Sequence, residues 1–548
     1  MDTEQICFLS IADLGAMLHA RKISSSEVTR SLLDRIRQLD WRLHSYITVL
    51  EESALAHAAQ ADREIEAGRW RGPLHGVPVS VKDLCQTRGA LTTAASKVLR
   101  EWRPDSSATV VTRLEAAGAV MLGKLNQTEF AGGWYHPEFP VPINPWNPAI
   151  WPGASSSGSG VATAAGLCFA SIGTDTGGSI RAPSAACGVV GIKPTWGRVS
   201  RHGVVPLAES LDHVGPMART VGDAALMLAA IAGYDPLDDT SLRAPVNDYS
   251  AMIGNGIEGI RIGVDEKFIA RAAPEVGNAV IAATRMLEQC GARIVTIMLP
   301  DFDPIVTAGI KILACEAVAA HSKTYPAQSA DYGPGFRSML EVGESLRGAD
   351  YANAQLVREQ FGNRFQAFFE DVDVIACPSL PRIAIAAGGG PPDAKRLLEG
   401  NPLMRFMSPF NMSRNPTLSM PCGAGAPPPS LQLIARRLGE ATLIQAGAVY
   451  EAATDGIGCI PRSDRDQRRI ESQRLDPAAA HSLHFSSRGT YRGQFVKARR
   501  KEVCAMLNVG ESAPDFTVNT HEGKPLTLSS LRGSKILLWF YPKADTPG

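Results

Sequence analysis

The chain has 548 residues, room for one large domain or for three or four ordinary ones at ~150 residues each. Hydrophobic residues make up 45% and charged residues 20%, so most of the chain can bury a core. Lys plus Arg and Asp plus Glu both total 55, which argues against a general attraction to nucleic acid or to an anionic membrane.

The predicted elements begin with helices. Ser24 and Glu27 have capping-box spacing, and Val28, Leu32, Ile36 and Leu39 follow at helical intervals. A second helix covers about Glu51–Ala67 and stops at Gly68. Gly76-Val77-Pro78-Val79-Ser80-Val81 reads as a short buried strand that delivers Lys82 and Asp83 at its end. Strands are predicted at Val120–Gly123, Ala170–Gly173 and Gly188–Ile192, with a helix from about Ser159. Further on come a strand at Ile260–Val264, a helix at Glu275–Gln289 and a strand at Ile294–Ile297. A long helix at Asp350–Glu370 and a strand at Val374–Ala376, closed by Pro378, complete the pattern. Such alternation argues for an α/β layered domain with a largely parallel or mixed sheet.

The longest small and apolar run, Val161–Ile172, falls short of the ~20 residues of a membrane span and reads as a buried helix. Met1–Asp13 carries acidic residues and no basic stretch ahead of its apolar run, a poor match to a signal peptide. Ten cysteines lie singly, with no CxxC pair, so neither a zinc knuckle nor a disulfide framework is expected. Dispersed thiols fit a reducing, cytoplasmic compartment, with each Cys a small core hydrophobe. After about Gly456 the composition changes: residues 461–501 hold eleven Lys or Arg against four Asp or Glu. A nucleic-acid arm and a solvated linker both fit such a run, and the sparse aromatics favour the linker. Beyond Cys504 the pattern is globular again, with a strand-like Ile536–Tyr541.

Two Ser/Gly segments carry candidate chemistry: Trp151-Pro152-Gly153-Ala154-Ser155-Ser156-Ser157-Gly158-Ser159-Gly160 and Gly173-Thr174-Asp175-Thr176-Gly177-Gly178-Ser179-Ile180-Arg181. Both are bounded by apolar sequence, unlike flexible linkers. A glycine pair before a serine lets the backbone turn tightly and aims successive N–H groups inward, as a main-chain oxyanion site requires. From the residues alone, Ser179 is either a nucleophile or part of a structural turn. Lys82 is either a buried amine or a surface cation ending a strand.

Together these segments resemble the amidase signature, whose pattern runs P-G-G-S-S-G-G-S and then G-[ST]-D-x-G-G-S-I-R. Gly76-Val-Pro-Val-Ser-Val-Lys-Asp is similar to the family's lysine block. Gly188–Ser200, Ser210–Val221 and Phe410–Pro421 resemble its later blocks, so the resemblance covers about residues 10–455. It implies an α/β/α layered fold with a large mixed central sheet flanked by helices. It also implies a Ser-Ser-Lys set falling on Ser179 as nucleophile, Ser155 as the second serine, preceded by a cis peptide, and Lys82 as base. The oxyanion would be held by backbone N–H groups near Thr176, Gly177 and Gly178. Ala154 and Ser157 stand where the family has glycines, which makes Ser156 a competitor for the relay. Arg181 would orient the loop, meet a substrate carboxylate or form a structural salt bridge. The implied substrate is a small-molecule amide, without cofactor or metal, and a homodimer is left open.

The same resemblance extends to the amide-cleaving component of tRNA-dependent amidotransferases. Its glutamine-recognition block, A-x-S-N-L-x-R-[YF]-D-G, is missing from the comparable stretch Ala314–Tyr325, which favours a stand-alone amidase. In the tail, Val509–Phe516, Leu528–Gly533 and Ile536–Gly548 resemble the start of a peroxiredoxin, a thiol peroxidase whose reactive cysteine follows Thr-Pro-Gly. The chain stops at Gly548, so an amidase fused to an active peroxidase is the weaker reading. The expected organisation is an amidase domain over 1–460, a disordered basic linker over 461–503 and a truncated thioredoxin-like fragment over 504–548.

Overall fold

A computed structural model describes residues 3–388 and 402–454, with three short strands at 496–497, 517–520 and 525–527. Chain contacts divide the protein into two units, Met1–Ser463 and Asp464–Gly548.

The first unit is built on one eleven-stranded sheet. Its strands in chain order are β1 (Tyr46–Val49), β2 (Pro78–Lys82), β3 (Val120–Leu125), β4 (Ala170–Asp175), β5 (Val190–Lys193), β6 (His213–Ala218), β7 (Arg261–Val264), β8 (Arg293–Thr296), β9 (Val374–Pro378), β10 (Thr417–Pro421) and β11 (Ser430–Ala435). In space the order is β1-β3-β2-β4-β6-β5-β10-β11-β9-β7-β8. The β3-β2-β4 and β9-β7-β8 groups are parallel, and the strands between them pair antiparallel, so the sheet is mixed as expected.

Every residue of β2, β3 and β4 is buried, as in strands covered on both faces by helices. Val79, Ser80 and Val81 of β2 stand opposite Ala170, Ser171 and Ile172 of β4. Lys82 and Asp175 therefore emerge at the carboxyl ends of adjacent parallel strands, where open α/β sheets place their ligands.

The early helices follow the sequence closely. The capping box at Ser24 and Glu27 opens the helix Ser25–Leu43, which buries Val28, Leu32 and Ile36. The Val161–Ile172 run does not form one helix. The helix Ser157–Ala164 ends there, Gly166 turns with φ +65°, and β4 begins at Ala170. Left-handed backbone at one glycine is enough to divide an apolar run that composition alone leaves whole. Gly188, expected to open a strand, instead caps the helix Arg181–Cys187 with φ +66°.

The second unit contains three short antiparallel strands, Val496–Lys497, Thr517–Thr520 and Pro525–Thr527. Apart from these, the linker 461–503 and the tail 504–548, including Ile536–Tyr541, lie outside the described residues.

Candidate active site

Lys82 ends β2 with its side chain fully buried. Its Nζ donates to Ser155 Oγ at 2.7 Å and to Thr174 Oγ1 at 2.8 Å. Burial lowers its pKa to about 7, against the opposing pull of Cys85, Asp175 and Asp212. An amine so placed is neutral often enough near pH 7 to accept a proton.

The peptide bond between Ala154 and Ser155 is cis. The two competing serines face different groups. Ser155 presents its hydroxyl to Lys82. Ser156 Oγ is spent on β4, donating to Thr174 O at 3.1 Å and accepting from Thr174 N at 3.2 Å. Ser156 N also donates to Ser179 O at 3.2 Å, tying the two Ser/Gly segments together.

Ser179 is half-buried in the turn between β4 and the helix Arg181–Cys187. Asp175 organises that turn, accepting from Gly178 N at 2.8 Å and Ile180 N at 3.0 Å. Burial works to raise the Asp175 pKa, but the Arg181 guanidinium beside it holds the carboxyl well below the usual range. All five Arg181 donors are engaged: Nε and Nη2 on Asp175, Nη1 on Met407 O and Gln432 Oε1, and Nη2 also on Asn411 Oδ1. Asn411 Nδ2 returns to Asp175 Oδ1 at 2.8 Å.

One alternative falls away here and one expectation changes. Arg181 is fully buried and has no donor left for a substrate carboxylate, so it shapes the loop. Gly178 N is already bound to Asp175, so it is not a free oxyanion donor. Among the described residues no acceptor engages the N–H groups of Thr176 or Gly177. Thr176 Oγ1 is held by Asp212 at 2.6 Å, and Met404 and Met407 lie against Gly177 and Gly178.

Two nearby histidines are tied to neighbouring backbone. His213 is buried and shifted well below its ordinary pKa, and its Nδ1 lies 2.6 Å from Leu211 O and 3.1 Å from Asp175 O. The ring thus braces backbone. His136 Nδ1 accepts from Glu138 N at 3.1 Å. Burial pushes the Cys85 thiol up to about 11 and Cys377 to about 12, which leaves both inert. A cavity of about 320 Å³ opens beside Thr174 and Thr176, lined also by Leu84, Ala131, Arg201 and Asp212.

Residues 27–444 match the Amidase family. The chain belongs to the amidase-signature family. AmiD of Mycobacterium tuberculosis, which bears an amidase's name, is 43% identical over 464 residues, 83% of this chain and 96% of its own. A glutamyl-tRNA(Gln) amidotransferase component from Thermosynechococcus vestitus is 40% identical over 478 residues, 81% of this chain and 98% of its own. The peptide amidase of Stenotrophomonas maltophilia shares the fold with a TM-score of 0.70 at 31% identity, over 82% of this chain and 97% of that one. This amidase-signature chain is therefore a hydrolase of carbon–nitrogen bonds. Residues 509–548 match the AhpC/TSA family, in line with the peroxiredoxin-like segments.

Within the amidase-signature unit, sequence reasoning missed Thr174, Asp175 and Asn411 as site residues. All three stand inside the quoted motifs, yet only the fold shows that Asn411 reaches Asp175 across 236 positions. Among the described residues no helix is long and apolar enough to cross a membrane, and no cluster of His, Cys, Asp and Glu is placed to hold a metal.

Proposed function

We propose that the chain hydrolyses a small carboxamide through an acyl-enzyme on Ser179, with Ser155 as proton relay and Lys82 as base. The buried contact between Lys82 Nζ and Ser155 Oγ carries this reading. Neutral Lys82 takes a proton from Ser155 as Ser155 takes one from Ser179. The Ser179 oxygen then bonds to the amide carbon, and the carbonyl electrons move onto oxygen. The N–H groups of Thr176 and Gly177, with that of Ser179 itself, are the donors left to hold this oxyanion. Collapse breaks the C–N bond, and the amine leaves with the proton passed back through Ser155. Water, deprotonated by the same relay, cleaves the ester and restores Ser179 with release of the carboxylate.

A second reading, the amide-cleaving component of a tRNA-dependent amidotransferase, has one observation in its favour: the similarity to such proteins. The stretch Ala314–Tyr325, where a glutamine-recognition block would fall, instead ends the helix Asp303–Ala320 and places His321 in a buried aromatic cluster with Phe130, Tyr332 and Phe336. The amidase reading is preferred on that ground. The test is ammonia or amine release from a panel of aliphatic and aryl amides by the purified chain alone. Turnover that is lost in Ser179→Ala supports the proposal, whereas turnover only with added amidotransferase partners favours the second reading.

A further inference from the structure

We propose that Glu129 is a positioning residue for the Lys82–Ser155 pair, its carboxylate locking together two interlocked left-handed loops that hold the pair in register. The inference rests on the reaction proposed above. One loop contains Ala94 and Ala95 at φ +51° and +52°, the other Phe130 and Ala131 at φ +45° and +62°. Four non-glycine residues in the left-handed region are costly, and such backbone persists only where its surroundings over-determine it.

One loop reaches the residue next to Lys82, and the other reaches Ser155 itself. Ala94 N donates to Asp83 O at 3.3 Å, and Thr93 N and Oγ1 donate to Asp83 Oδ2 at 2.8 and 2.6 Å, next to Lys82. Thr128 N donates to Ser155 O at 3.2 Å. The loops meet where Phe130 N donates to Ala94 O at 2.9 Å. Glu129 closes the junction. Ser96 Oγ donates to its Oε1 at 2.6 Å, and Gly333 N, ahead of the helix Pro334–Ser345, donates to its Oε2 at 2.9 Å.

Glu129 is 1% exposed, and no Lys or Arg among the described residues forms an ion pair with it. Donors converging on both oxygens suit the carboxylate, since a protonated acid must turn one oxygen into a donor. Burial nevertheless pushes its pKa up to about 7, against the hydrogen bonds from Ser96 and Gly333. The titratable groups facing this junction are Tyr332, His136 and His321, with the Lys97–Asp331 and Arg100–Glu138 pairs further out. On the acid side the active form must therefore lose two protons, one from Lys82 and one from Glu129.

The test is the pH dependence of kcat/KM between about pH 5 and pH 9 for the full chain acting on a small amide. The wild-type acid limb should steepen towards a slope of two. Glu129→Gln, neutral at every pH, should lower kcat about 10- to 100-fold with little change in KM and reduce that slope to one. Ser96→Ala, which removes one of the donors to Glu129 together with the Ser96 cap on Val98 N, should move one of the two acid-limb transitions to higher pH, and it serves if the first variant does not fold. A wild-type slope of one, an unshifted limb in Ser96→Ala, or an unchanged profile in Glu129→Gln overturns the clamp alone. Turnover that survives Ser179→Ala overturns the underlying reaction instead.

Discussion

Arg181 and Asp175 form a fully buried ion pair, Nη2 to Oδ1 at 2.9 Å, inside the turn that presents Ser179. The same carboxylate fixes Gly178 N and Ile180 N on either side of Ser179. Asp175→Asn keeps the size of the side chain and removes the charge, leaving the guanidinium uncompensated. Breaking a buried pair in this way costs about 3–5 kcal/mol. Denaturant unfolding should show a loss of that order, together with loss of turnover. Arg181→Lys should fail as well, because three donors on a point charge cannot replace five in a planar fork. Wild-type stability in either variant would count against the pair as the organiser of the loop.

The two glycines before Ser179 should respond differently to the same substitution. Gly178 has φ +136°, and an added Cβ would meet Met407 Sδ at 2.6 Å and Cβ at 3.0 Å. Gly178→Ala is expected to strain the turn by about 1–3 kcal/mol and abolish turnover. At Gly177 the added Cβ meets only Met404 Cε at 2.6 Å, the mobile end of a flexible side chain. Gly177→Ala should retain activity within a few-fold. Steady-state kinetics of the two variants check the contrast, and equal losses would contradict it.

Turnover should depend on Lys82 being neutral. Its pKa is lowered from 10.5 to about 7, so the amine is protonated and idle below that value and able to accept a proton above it. Activity is expected to rise with pH through about 7. Lys82→Arg should be inactive throughout the accessible range, since a guanidinium stays protonated. A pH–rate profile that falls across neutrality would be inconsistent with this base.

The Amidase match ends at residue 444, and the first unit ends at Ser463. A chain ending at Ser463 should keep its specific activity towards amides. Loss of turnover on that truncation, with the remaining unit folded by circular dichroism, would show that the tail supports the site.

What can be read from sequence is local. Ser24 and Glu27 announce a helix start, and the apolar run before Lys82 announces a strand with a lysine at its end, because both patterns are short in range. The run Val161–Ile172 misleads because Gly166, one residue in the left-handed region, decides where helix gives way to strand. Strand β6 gives no comparable signal although it lies in the middle of the sheet. Gly215 and Pro216 make β6 look like a loop, and neighbours on both sides supply what its local preference lacks. The site divides along the same line. Lys82, the two serines and Asp175 lie in local motifs, whereas the other acceptors of Arg181, at residues 407, 411 and 432, lie more than 220 positions away and meet it only in the folded chain.

Covalent labelling of Ser179 tests the central claim most directly. The protein would be treated with a fluorophosphonate, its intact mass measured and the modified peptide sequenced. One adduct per wild-type chain is expected, on the peptide carrying Ser179, and none on Ser179→Ala. An adduct that survives Ser179→Ala, or one that maps to Ser155 in the wild type, would contradict the assignment.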